Sequence, residues 1–280
     1  MWRTLKHIGR THRKKLLVTF TIVALENLLY LIYPLFGAFA VNAVMAGNVW
    51  QALVYAALVL AMWLVGAVRR AVDTRTFARI YSALVVPVIV EQRMQAQTHS
   101  TISARVALSR EFVDFFEEHL PTAVTSLVSV IGACVMLLAL EWWSGVLATA
   151  ILLFFALLLP RFSRISNKLY EVLNNRLEKD VEMIQTAESM QLHKHYDLVA
   201  QLRIWISNRE ALAYLCIGVA ACLLFGFTLV WITLNGYGSA GHIYALTTYM
   251  WMFAMSLDDM PFLIEKYSNL KDIAERVKVG

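Results

Sequence analysis

Uncharged apolar runs long enough to cross a lipid bilayer constrain this chain more than any other feature. A hydrocarbon core of about 30 Å takes roughly 20 residues of α-helix at a rise of about 1.5 Å per residue. Six runs meet that measure. The first extends from Leu16 to about Val41 and is interrupted only by Glu26; the second covers Val49–Val68, the third Thr122–Leu140 and the fourth Trp142–Pro160. The last two share one uncharged stretch, Ala211–Leu257, with a turn supplied by Asn235-Gly-Tyr-Gly-Ser-Ala-Gly241 in its middle. No alternation of the kind a β-barrel requires competes with this pattern, so the expected fold is an all-α polytopic membrane protein with six transmembrane helices. Hydrophobic content of 59% and only 16% charged residues point the same way.

The basic residues then orient the runs, because segments rich in Lys and Arg stay on the cytoplasmic side. Of the 25, six lie in residues 3–15, seven in 69–110, eight in 161–209 and four in 266–278. The connections around Gly47, Glu141 and Gly238 carry none. Both termini are therefore expected in the cytoplasm, as an even number of crossings requires. Trp50, Trp142, Trp143, Tyr237 and Tyr244 beside the uncharged turns make an outer aromatic belt.

The same charge distribution excludes other classes. A net charge of +5 could suggest nucleic acid, but arginines spread over inner loops are what topology alone demands, and no nucleic-acid partner is expected. Residues 1–15 resemble the charged start of a signal peptide, yet the apolar stretch after them is too long and no small-residue cleavage site follows. Trp2, Leu5 and Ile8 alternating with Lys6 and Arg10 read instead as a short helix lying at the inner interface. Cys134, Cys216 and Cys222 all fall inside apolar runs, where a thiol acts as a small hydrophobe, so neither redox chemistry nor structural zinc is expected.

The loops are very unequal. Outer connections are a few residues long, whereas the inner ones run over about 69–120 and 161–209. Both inner stretches have few Gly or Pro and periodic apolar positions such as Leu169, Leu173, Leu177 and Val181. The second to fifth spans are thus expected to continue into the cytoplasm as long helical hairpins, with Ser103–Glu118 as one return leg. Pro121 and Pro160 mark membrane edges, and Pro34 and Pro261 are expected to kink the first and sixth spans.

This organisation resembles the transmembrane domain of type I ATP-binding-cassette exporters over essentially the whole chain. Pro34-Leu-Phe-Gly37 followed by the short turn at Gly47 resembles that family's first span. Ser103-Ala-Arg105-Val, Phe112 and Leu120-Pro121 resemble its approach to the third, and Ala274-Glu-Arg276-Val277 its exit from the sixth. The resemblance implies a homodimer of twelve helices enclosing a central cavity. In that family an ATPase domain normally follows the sixth span, and no Gly-x-x-x-x-Gly-Lys-Ser/Thr phosphate loop occurs in these 280 residues. The first inner hairpin is also about 15 residues shorter than the family's, at the tip that would grip the ATPase. The chain therefore looks like the ATPase-free branch of this fold, similar to proton-driven peptide importers of Gram-negative bacteria, and no enzymatic activity of its own is expected.

Ionisable groups inside the bilayer are functional candidates by default. Glu26 is expected about 15 Å deep, close to the midplane, with no Lys or Arg in its own span to neutralise it, and so able to carry a coupling proton. The alternative is that it stays protonated and hydrogen-bonds a neighbour such as Asn27, itself a candidate substrate contact. Asp258 and Asp259 lie in the inner part of the sixth span, and Asp258 shares a helical face with Glu265, an acidic stripe suited to a cationic solute or to protons. The alternative there is an ion pair with Arg69 or Arg70. Met250, Met252, Met255 and Met260 lack a repeated Met-x-x-x-Met spacing and read as packing rather than a copper path. His193 and His195 do not share a helical face, and no metal or other cofactor is expected. Gly218, Cys222 and Gly226 form a stripe expected to pack closely on a neighbouring helix.

The expected function is movement of an amphipathic solute, a peptide or siderophore-like molecule, across the bacterial inner membrane by alternating access, coupled to protons. Two alternatives remain at this point: a membrane subunit served by a separate ATPase polypeptide, and a scaffold that transports nothing.

Overall fold

The structure, a computed structural model, describes residues 13–94, 106, 110, 113–177, 183, 187–236 and 238–276, without the side chains of residues 84, 88, 91, 92, 115, 116, 174 and 260–276. Long helices account for nearly all of it: α1 (Arg13–Met45), α2 (Val49–Met94), α3 (Leu120–Leu140), α4 (Trp142–Leu177), α5 (Ser189–Asn235) and α6 (Ala240–Arg276). A π-helical turn, Phe115–His119, leads into α3. The inner tip of the first hairpin, the N-terminal interfacial helix up to residue 12, and Val181 lie outside the described residues. Arg13, Lys14 and Lys15, assigned to that interfacial helix by the sequence pattern, belong to α1.

Local chemistry sets the ends. Gly47 in the first turn has a φ of 71°, a left-handed conformation that a side chain would strain. Next to it, Asn48 caps α2, its Oδ1 accepting from the Gln51 amide at 3.2 Å. Pro121 sits in the first turn of α3, where its missing N–H costs nothing. Gly236, at φ 92°, ends α5, and Ser239 caps α6 by accepting from the His242 amide at 3.2 Å. Pro34, Pro87 and Pro160 each remain inside a single helix.

Five of these helices, α1 to α5, are long and apolar enough to cross a membrane. At the helical rise, the 46 residues of α2 and 47 of α5 extend about 70 Å, more than twice a bilayer core. The sixth expected span, the first part of α6, falls short in apolarity because it carries His242, Thr247, Thr248 and several aromatic residues with polar atoms. Packing explains how it tolerates them: α6 is the central helix, in contact with α1, α3, α4 and α5. Its Ala245, Leu246, Tyr249, Met250, Phe253 and Leu257 are buried against Val130, Ala133 and Leu137 of α3, Ala148 of α4 and Leu224 of α5. Surface that faces other helices rather than lipid has no need to be uniformly apolar.

The hairpins have small cores of their own. Leu173 of α4 packs with Val199, Leu202 and Ile206 of α5, joined by Leu169 and Leu177 as the sequence periodicity predicts. Phe77 and Ile80 of α2 pack with Val113 of the return leg. One packing expectation fails: a side chain added at Gly218 or Gly226 would meet nothing within 4 Å, and Cys222 between them is exposed. Helix α5 turns Ile217, Leu224, Thr228 and Ile232 to the core instead, which leaves the small residues on its outer side.

Candidate functional site

The tight turns, Ala46–Asn48, Glu141 and Gly236–Ser239, define one end of the bundle, and the basic segments define the other. Glu26 and Arg69 meet near the charged end. Glu26 is 19 residues from the turn end of α1 and Arg69 is 20 from that of α2, distances of about 29 and 30 Å at the helical rise. The two residues are therefore level, and Arg69 donates from Nη1 to Glu26 Oε2 in an ion pair. Arg69 Nε also donates to Asp73 Oδ2 at 3.3 Å, one turn along the same helix. A single guanidinium thus serves two carboxylates, and all three side chains are largely shielded, at 13%, 23% and 8% exposure for Glu26, Arg69 and Asp73.

This adds a partner to Glu26 that the sequence reading of its own span lacks. Along α1 it lies 13 residues from Arg13 and 19 from Met45, inside the long apolar helix. It is also neutralised, by an arginine from the neighbouring helix that no inspection of its own span reveals. Asn27 is not its partner. Asn27 is buried on the face shared with Thr19 and Val23, and neither its Oδ1 nor its Nδ2 finds a hydrogen bond among the described residues.

Asp259 joins the same site. Its Oδ2 accepts from the Ser126 hydroxyl of α3 at 2.7 Å. Together with Glu26, Tyr30, Arg69, Arg70 and Thr122 it lines a cavity of about 290 Å³. A second cavity of about 360 Å³ shares Arg69, Arg70 and Thr122 and continues toward Asp73, Arg110 and Glu117. The ion pair weighed for Asp258 and Asp259 is not formed by Arg69, which is already engaged by Glu26 and Asp73. Asp258 is partly buried and outside both cavities; the side chain of Glu265 lies outside the described residues. Of the sequence candidates, the structure brings Glu26 and Asp259 together and leaves Asn27 and Asp258 apart from them.

Arg69 and Asp73 were not singled out by sequence as a pair, although their spacing of four on a helix carries the signal of a salt bridge. Nothing in the sequence, however, says that Arg69 reaches across to α1.

The turn end is built differently. Asn42 Oδ1 of α1 accepts from the Gly241 amide of α6 at 2.9 Å, and a side chain on Gly241 would strike the Ala38 carbonyl. A side chain on Gly37 would likewise strike the Tyr244 ring, whose hydroxyl lies 3.5 Å from that of Tyr55 on α2. His242 Nε2 is 3.2 Å from Glu141 Oε1, joining α6 to the corner between α3 and α4. Deeper in, the Tyr249 hydroxyl donates to the Leu31 carbonyl at 2.7 Å.

Six long helices, one end drawn together by glycine contacts and the other holding a charged cavity, are accompanied by a match in sequence. A family model described as ABC transporter transmembrane region matches residues 5–241. No curated protein matches the chain.

Proposed function

Since the chain belongs to the family of ABC transporter transmembrane regions, a component of a membrane transporter, we propose that it works as a homodimer moving an amphipathic solute by alternating access, with protons as the driving ion. On this reading the charged end faces the cytoplasm of a bacterial inner membrane, an orientation that the distribution of Lys and Arg supports. The solute, a peptide or siderophore-like molecule, enters the cavity lined by Glu26 and Asp259, and the protein hydrolyses no ATP itself.

The observation that carries the reading is the sharing of Arg69 between Glu26 and Asp73. One positive and two negative charges leave a surplus of one negative charge in a shielded place, which a single proton neutralises. Protonation of Glu26 would free Arg69 to serve Asp73 alone and so loosen α1 from α2, a two-state contact of the kind alternating access needs. On this reading the turn end, with its close glycine contacts, is the closed outer gate.

The test is accumulation in proteoliposomes under an imposed pH gradient without ATP. Unmutated protein is expected to accumulate its solute uphill, and Glu26→Gln, which holds the permanently neutral form at nearly constant shape, to bind but not accumulate. Uphill accumulation by Glu26→Gln at the normal level would remove the coupling role. Family membership itself favours a second reading, a subunit driven by a separate ATPase polypeptide. Accumulation that appears only when such an ATPase and ATP are added would select it.

A further inference from the structure

Four charged side chains line the cavity of about 290 Å³, Glu26 and Asp259 against Arg69 and Arg70, so the charge on its wall is balanced. They are not used alike. Glu26 and Arg69 form an ion pair with each other, which satisfies both within the protein. Arg70 is exposed and makes no ion pair or hydrogen bond with any described residue. Asp259 is exposed as well. The hydroxyl of Ser126, a buried residue, donates to its Oδ2 and fixes that oxygen, while its Oδ1 receives nothing from the described residues. An ionisable group on an apolar helix either pairs within the protein or marks the path of a solute. Glu26 and Arg69 do the first, and Arg70 and Asp259 are left for the second.

Arg70 and Asp259 are level along the bundle but carried by different helices. Arg70 is 21 residues from the turn end of α2 and Asp259 is 19 from that of α6, about 32 and 29 Å at the helical rise. Both reach the same cavity, yet they form no ion pair with each other. We propose that this cavity binds a short zwitterion, its carboxylate on Arg70 and its ammonium on Asp259, a class that includes small peptides with free ends and ω-amino acids. The inference names the solute of the transport reading and rests on that reading for its being carried. Because the two groups on the wall do not reach each other, the charges of the solute must be held apart by a chain. A solute with one charge leaves the opposite group unanswered, so the site selects for the pair of charges. Tyr30, exposed on the wall, offers the connecting chain an aromatic surface, and a volume of about 290 Å³ accommodates a solute of that size.

The experiment is equilibrium binding to the purified full chain in mild detergent by isothermal titration calorimetry. The probe is 6-aminohexanoate; hexanoate lacks its ammonium, pentylammonium lacks its carboxylate, and glycine brings the two charges together. The probe is expected to bind saturably and about tenfold or more tighter than any of the three, the effect of one hydrogen bond to a charged group. Arg70→Gln is expected to weaken the probe by about tenfold and to leave pentylammonium unchanged, and Asp259→Asn to weaken the probe equally and to leave hexanoate unchanged. Loss of fold would instead weaken every compound. Arg70→Lys, which keeps the charge, is expected to recover most of the binding lost in Arg70→Gln, and this pair carries the test alone should Asp259→Asn fail to give monodisperse protein. Equal binding of hexanoate, pentylammonium or glycine, or unchanged binding of the probe in Arg70→Gln, would overturn the proposal. Binding as expected with no uptake of 6-aminohexanoate into proteoliposomes under a pH gradient would sink the transport reading and leave the site standing. Uphill uptake of hexanoate or pentylammonium without binding of 6-aminohexanoate would sink the site alone.

Discussion

The two ends of the bundle are held by different physics. At the turn end, α1 and α6 approach so closely that Gly241 sits against the Ala38 carbonyl and Gly37 against the Tyr244 ring, with neutral hydrogen bonds from the Gly241 amide to Asn42 Oδ1 and between tyrosine hydroxyls around them. Such contacts depend on the absence of a few atoms. At the charged end, the helices are linked through Arg69, and cavities of about 290 and 360 Å³ remain between them. A steric seal holds until a backbone moves, while a link through one shared arginine changes whenever a proton or a cation changes the charge balance. The difference suits a molecule whose charged end responds to what enters it.

Substitutions can break or sharpen this contrast. The largest effect is expected at the steric seal. Gly241→Val would force α6 away from α1, and a loss of about 3 kcal/mol or more is expected, since overpacking against backbone cannot relax through a side chain. Gly218→Val, where nothing lies within 4 Å, should change the midpoint of thermal unfolding very little. Equal effects of the two would mean that the turn end is not closed by glycine contact.

Next is the charged end. Arg69→Met leaves Glu26 and Asp73 without their common partner, and a loss of roughly 2 kcal/mol is expected, below the value for a fully buried pair because all three groups retain some exposure. Adding Glu26→Gln and Asp73→Asn to Arg69→Met should restore much of that loss. A triple variant no more stable than Arg69→Met would show that the arginine acts through packing rather than charge. Tyr249→Phe removes the donor to the Leu31 carbonyl inside the core, with an expected loss of about 1 kcal/mol measured by thermal unfolding in the same detergent. The smallest effect belongs to His242→Gln. It keeps a donor within reach of Glu141 at a partly exposed site, and a change of about 0.5 kcal/mol or less is expected. A larger loss would place electrostatics at the turn end as well and weaken the contrast.

The helices were legible because their signals are local. An apolar run of bilayer length, a positive-φ glycine at a turn and a proline in a first turn each act within a few residues, and Gly47, Gly236 and Pro121 stand where the sequence places them. The pairing of Leu169 and Leu173 with the following helix was likewise readable from periodicity. The site was legible only in part. Glu26 stands out because a carboxylate in an apolar run is unusual, but its partner is 43 residues away on another helix. The stripe at Gly218, Cys222 and Gly226 read as a packing surface, and among the described residues a side chain added at Gly218 or Gly226 would meet nothing within 4 Å.

What the sequence by itself determined, then, is the all-helical class, the turns that join the long helices and the segregation of basic residues to one end, because hydrophobic transfer and backbone geometry act on each segment alone. The tertiary structure decided which helix sits at the centre, that Arg69 is shared between Glu26 and Asp73, and that Asp259 rather than Asp258 reaches the cavity. Those outcomes depend on how each helix is rotated about its axis and shifted along it against its neighbours. A rotation of about 100° separates adjacent residues on a helix, and that angle is fixed by packing between segments rather than by the order of residues within one.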